Sequence, residues 1–339
     1  MKSNSLLFPP AIPGAGRIST TRPGSTWNQV TIFIFSVAYG YVLSKIPNSS
    51  FNDFDNYLVV AEFAPVSLLQ RINEGIIPFL ANEPIWLLIN TLLALVLESE
   101  DIVRLIIFLS AFSVAHVTLS TNPRSWMWLL LILLYYPIIK NFLIHLRQGA
   151  AIAVFLLGWF SVSRKSRIFL ITLSPFIHSS FFFIIILNAL SESFKKLRLG
   201  ADITIPIFIA GGAIIGTTIM YLAFLLGARQ AEEYPSIDAT SSGLGFIFWS
   251  LICVLLVSQG RNFVRRYLFE ISILLFYLGA YFFTIVTSRV FESALLLVLL
   301  AGLALNGWRL KVYQSSMIVF MSMMWIMRVG QPAFGFSGV

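Results

Sequence analysis

Two short stretches carry the residue types most able to do chemistry. The first is Leu146-Arg147-Gln148-Gly149-Ala150-Ala151, where an arginine opens an apolar run. A guanidinium offers a planar fork suited to phosphate, and a helix N-terminus adds partial positive charge at the same place. The second is His178-Ser179-Ser180, inside the next hydrophobic segment. Ionisable groups in apolar segments are costly unless paired or wetted, so both stretches are functional candidates. Two acidic positions upstream complete the set. Asp53-Phe54-Asp55 precedes Tyr57, and Glu83 precedes Pro84. Asp53 or Asp55 could take a proton from a hydroxyl if that loop folds over a cavity. Later candidates are Arg229 with Tyr234, and Arg289 with Glu292. Arg289 and Glu292 are one helical turn apart and either pair with each other or line a cavity.

The elements that position these residues are apolar. Of 339 residues, 58% are hydrophobic and 11% charged, and the mean hydropathy is +0.85. A soluble domain carries about 25% charged residues, so the expectation is an all-α, polytopic integral membrane protein. Apolar runs near 28–46, 84–98, 103–119, 126–143, 149–162, 168–190, 203–226, 244–258, 268–287, 290–305 and 313–327 suggest about 10–12 transmembrane helices. No ten-residue alternating pattern of a β-barrel is present. The net charge of +8 lies in short loops, where it orients spans rather than binding nucleic acid. By that bias, the loops near 47–83 and 227–243 are outer, or periplasmic, and the first is expected to run partly as amphipathic helix. Residues 1–26 read as a disordered basic cytoplasmic tail, 27–328 as one transmembrane domain, and 329–339 as a short tail. The basic stretches 163–167 and 191–200 are separated by one hydrophobic segment. A break and re-entry at Ser174-Pro175, within 168–190, would keep both on one side.

Several chemistries have no residues to carry them. No Gly-rich phosphate loop and no Gly-x-Ser-x-Gly elbow is present. His116, His145 and His178 lack zinc-ligand spacing, and the single Cys253 permits no internal disulfide. No metal or other cofactor is expected.

The order of these motifs resembles the EpsG-like branch of Wzy-type polysaccharide (O-antigen) polymerases. The resemblance rests on Asp53-x-Asp55-x-Tyr57, Glu83-Pro84-Ile85-Trp86, Asn122-Pro123, Leu146-Arg147-Gln148-Gly149-x-Ala151, His178-Ser179 and Ser288-Arg289-Val290-Phe291-Glu292. Relatives often carry Gly-x-Asp where Phe51-Asn52-Asp53 stands, and an aromatic where Glu292 stands. The resemblance implies a GT-C-like glycosyltransferase of the bacterial inner membrane. Such an enzyme transfers a growing glycan from undecaprenyl pyrophosphate to the non-reducing end of a lipid-linked repeat unit, facing the periplasm. Implied partners are the undecaprenyl-pyrophosphate-linked oligosaccharide, membrane lipid, and a flippase and chain-length regulator of the same pathway. Carried onto this chain, the implied catalytic residues are Asp53, Asp55, Arg147 and His178. The implied substrate-binding residues are Tyr57, Glu83, Gln148, Ser179, Arg229, Tyr234, Arg289 and Glu292. The competing classes are a transporter or flippase of lipid-linked oligosaccharide, and a membrane acyltransferase acting on the same glycan.

Overall fold

The computed structural model describes residues 26–47, 53–122, 125–225, 243–283 and 286–336. Among them every regular element is helical. The described residues up to Ser179, with those from Met324 onward, form one compact unit, and Ser180–Met323 form a second.

In the first unit, the apolar run after Thr26 forms α1 (Thr26–Ser44), followed by α2 (Phe54–Asn73), α3 (Ile76–Ala81), α4 (Pro84–Leu93) and α5 (Ser99–Thr121). The 47–83 stretch is therefore largely helical, as its mixed polarity suggests. α2 buries Phe54, Tyr57, Ala61 and Ala64, one stripe at helical spacing, and it packs on α4. Pro84 occupies the first turn of α4, where a missing N–H costs nothing. Glu100 and Asp101 stand in the first turn of α5 and complement its dipole.

The run 126–143 differs from the single span its apolarity suggests. It is two helices, α6 (Trp126–Leu133) and α7 (Tyr136–Leu143), bent by 52°. Pro137 lies in the first turn of α7, where it has no donor to continue a helix from α6, and Tyr135 before that turn is extended, at φ −67° and ψ 126°. The carbonyls freed at the break are satisfied from elsewhere in the unit. Tyr39 Oη donates to Leu133 O at 2.8 Å, and Trp325 Nε1 donates to Leu134 O at 3.1 Å. The C-terminal segment then closes on the same place. Phe336 stacks on Tyr136 at 4.9 Å, and the Arg328 guanidinium lies 3.5 Å over the Tyr136 ring.

α8 (Leu146–Trp159) follows and is buried on nearly every side. Gly149 is required there, since a Cβ would meet the backbone oxygen of Asn141 on α7. α9 (Arg164–Leu173) is capped by Ser163, whose hydroxyl accepts from Ser166 N. A 3₁₀ turn, Ser174–Phe176, ends it, so the 168–190 segment is interrupted at Ser174-Pro175 as the sequence suggests.

The second unit comprises α10 (Ser180–Leu197), α11 (Ala201–Leu225), α12 (Gly243–Ser258), α13 (Arg261–Arg266), α14 (Leu268–Ala280), α15 (Val286–Gly302) and the greater part of α16 (Trp308–Ile326). α14 is central and almost wholly buried. Close approach of α11 to α14 depends on Gly212, which faces the Phe276 backbone, and on Gly279, which faces Ile209 O.

Among the described residues, α5 and the Ala201–Ile219 part of α11 are each long and apolar enough to cross a membrane, and the bent α6–α7 pair would make a third. Other apolar helices are shorter. α8 has 14 residues, about 21 Å at 1.5 Å per residue. The eleven apolar segments thus report helical, buried or lipid-compatible chain, while their lengths as single spans are set by prolines and turns that hydropathy does not register.

Candidate functional site

Glu83 is the centre of the site. It is 2% exposed, lies between α3 and α4, and has φ 59° and ψ 55°. A non-glycine residue in this left-handed region costs about 1–2 kcal/mol, and such strain clusters where a side chain must be aimed. Its carboxylate is aimed at three donors. Arg147 Nη1 donates to Oε2 at 2.6 Å. His178 Nδ1 lies 2.6 Å from Oε1, and Ser179 N–H donates to Oε1 at 3.2 Å. One carboxylate therefore ties together residues 64 and 95 positions away in sequence.

The electrostatics follow from this arrangement. Burial alone would push the Glu83 carboxyl up, but the charges of Arg147 and then His178, with the bonds from His178 and Ser179, outweigh it. The group is held well below the usual carboxylate range, so Glu83 is an ionised anchor and a poor proton acceptor. Because that carboxylate only accepts, the proton in the Glu83–His178 bond resides on Nδ1, which leaves Nε2 to give or take a proton. An acid orienting a histidine in this way is the logic of hydrolytic triads.

Tyr57 sets the approach to Arg147. Its hydroxyl donates to Ile144 O and accepts from Leu146 N, both at 3.0 Å, so it pins the turn from which α8 starts. Burial pushes this phenol above its ordinary value, against the opposing charge of Arg147, so it stays neutral. Trp86 packs edge-on against the Tyr57 ring at 6.1 Å. Arg147 leaves 23% of its side chain exposed, at the first turn of α8. Phosphate bound there would meet a guanidinium beside the positive end of a helix.

No family model, no curated protein and no solved structure matches the chain. The site is therefore read from its own geometry.

Of the candidates from sequence, Tyr57, Glu83, Arg147, His178 and Ser179 come together, the last through its backbone N–H. Gln148 is beside them in sequence and 1% exposed. Asp53 is half-buried at the N-cap of α2 and its charge acts on Tyr57, whereas Asp55 is exposed in the first turn. Asp53 is thus the acid of the pair nearer the cluster. Arg289 and Glu292 lie on α15, in the second unit. Arg229 and Tyr234 lie outside the described residues. Among the described residues no group of three or more His, Cys, Asp and Glu is placed to hold a metal ion. From sequence Glu83 is one substrate-binding candidate among several, whereas in the structure it is the residue the others bond to. The signal was available in Glu83-Pro84, since a proline forces its predecessor out of helical geometry.

Proposed function

We propose that this protein is a polysaccharide polymerase of the bacterial inner membrane, built as a polytopic, GT-C-like helical protein with about 10–12 spans and a site facing the periplasm. The substrate is an oligosaccharide repeat unit on undecaprenyl pyrophosphate. The observation that carries the proposal is the shared Glu83 carboxylate. It gathers the Glu-Pro, Leu-Arg-Gln-Gly and His-Ser motifs, on which the resemblance to Wzy-type polymerases rests, into one bonded cluster.

The chemistry follows from the parts. An acceptor hydroxyl attacks the anomeric carbon of the donor glycan, and the bond from that carbon to the pyrophosphate oxygen breaks. The leaving lipid pyrophosphate gains negative charge, which Arg147 neutralises. The hydroxyl proton passes to His178 Nε2, oriented by Glu83, or to Asp53. The leaving group is already activated, so neither nucleotide nor metal is required of the protein. In this reading Gln148, Tyr57 and Ser179 lie beside Arg147 and His178 on the substrate-binding side. A flippase and a chain-length regulator act alongside in this reading.

The test is a glycan ladder from cells lacking the gene, complemented with wild type, Arg147→Ala or Arg147→Lys at matched membrane levels. Collapse of the ladder to a single-repeat band, rescued by wild type and by neither variant, is the expected result, because lysine cannot form the fork. Loss of capped glycan altogether would indicate a transporter instead. An unchanged ladder in the deletion strain, with no second copy of the gene, would overturn the polymerase.

A further inference from the structure

The C-terminal segment of the first unit holds a cation that the proposed transfer does not use. Arg328 follows the end of α16, and its guanidinium carbon lies 3.5 Å from the centre of the Tyr136 ring. Three contacts hold that ring in place. Tyr136 Oη donates to Gly335 O at 3.0 Å, Phe336 stacks on the ring at 4.9 Å, and Trp325 meets it edge-on at 5.7 Å. The chain thus folds back after Arg328 and closes on the residue that Arg328 covers. At Gly335, where φ is 75°, an added Cβ would meet both Arg328 Nη1 and Gln331 Oε1. Glycine there leaves room for a guanidinium and an amide side by side. A guanidinium laid on a ring face still carries its N–H donors around its edge, free to form a fork.

The surrounding sequence offers this cation no acidic side chain. Between Asp101 and Glu192, a stretch that includes α6, α7 and α8, there is no Asp or Glu, and there is none after Glu292. Among the described residues no carboxylate forms an ion pair with Arg328. Its neighbours in the chain are apolar and open, since Ile326, Met327, Val329 and Phe334 are all exposed. A cation set among lipid-compatible side chains is costly unless an anion reaches it. A phospholipid meets both needs at once. Its phosphate takes the guanidinium fork, and its acyl chains cover the apolar rim. A soluble anion meets only the first.

We propose that Arg328, stacked on Tyr136, binds the phosphate headgroup of an anionic membrane phospholipid, with the Gln331 amide as a neutral second contact. Such a lipid needs the membrane setting of the reading above but not its glycan transfer. Thermal unfolding of the detergent-purified, delipidated full chain tests this. Phosphatidylglycerol is titrated into the micelles, with phosphatidylcholine and inorganic phosphate as separate arms at one ionic strength. A ligand that binds only the folded state raises the midpoint with its concentration. The expected result is a rise of ~3 °C or more with phosphatidylglycerol, a smaller one with phosphatidylcholine and none with inorganic phosphate. Each variant is read against its own lipid-free midpoint, so lost ring stacking does not enter. Arg328→Gln should abolish the rise. Arg328→Lys, which keeps the charge without the fork, should reduce it, and this variant decides the matter should Arg328→Gln fail to fold. A wild type insensitive to phosphatidylglycerol, an equal rise with phosphatidylcholine or inorganic phosphate, or a rise unchanged in the variants would overturn the proposal.

Discussion

Glu83→Gln changes one atom and should destabilise the first unit far more than its size suggests. The carboxylate takes bonds from Arg147 and His178 at 2.6 Å and from Ser179 N at 3.2 Å. A glutamine keeps one acceptor oxygen and turns an NH₂ toward a partner that also donates. A hydrogen bond to a charged group contributes about 1.5–3 kcal/mol net, and removing one member of a buried pair costs about 3–5 kcal/mol. Arg147, 23% exposed, regains hydration when released. The net cost should therefore fall near 2–4 kcal/mol, a drop of roughly 5–15 °C in the unfolding midpoint. Fluorescence-monitored melting of detergent-purified protein reads this directly, and the glycan ladder should shorten in parallel. The backbone supplies a second reading. With φ at 59°, Glu83→Gly should be about 1 kcal/mol more stable than Glu83→Ala, since glycine relieves the left-handed strain. A Glu83→Gln protein that melts within ~1 °C of wild type and keeps its ladder would refute the central place given to this carboxylate.

Other outcomes follow from the same geometry. Tyr57→Phe strips the buried Leu146 N–H and Ile144 O of their partner, and should cost about 1–3 kcal/mol in melting experiments while lowering polymerisation. Gly149→Ala places a methyl against the Asn141 carbonyl of α7, which cannot swing aside, and should cost about 1–3 kcal/mol. Glu83 is held below the ordinary carboxylate range, so its stabilisation is complete above that range and is lost as pH falls through and below it. Between about pH 5 and pH 3, wild type should therefore lose more stability than Glu83→Gln. Asp53→Asn should reduce polymerisation more than Asp55→Asn, which is exposed, as read on the ladder of each complemented strain.

Much of this was legible in the chain. Proline and serine at 174–175 announced the interruption before His178, and Glu83-Pro84 announced a helix start. The amphipathic stripe of α2 could be read from 54, 57, 61 and 64. What was not legible is contact at a distance. No periodicity links Glu83 to Arg147 or His178, because the pairing is made by tertiary packing of α4, α8 and the turn after α9. Nor does hydropathy report the 52° bend between α6 and α7. Leu134 and Tyr135 are as apolar as the helices they separate, and only Pro137 betrays it.

The shortness of the helices at the site sets a condition on the lipid around it. α4 has 10 residues and α8 has 14, about 15 and 21 Å of helix, against a hydrocarbon layer of about 30 Å. In the proposed membrane setting, lipid beside α4 would thin locally or let headgroups sink toward Arg147. A polyprenyl carrier's pyrophosphate would then meet the guanidinium at the depth of its own headgroup, with no need to be pulled out of the leaflet. Under the proposed transfer, acyl-chain length becomes a variable of the reaction. Reconstitution in short-chain lipids should favour turnover, and long-chain or sterol-thickened bilayers should suppress it.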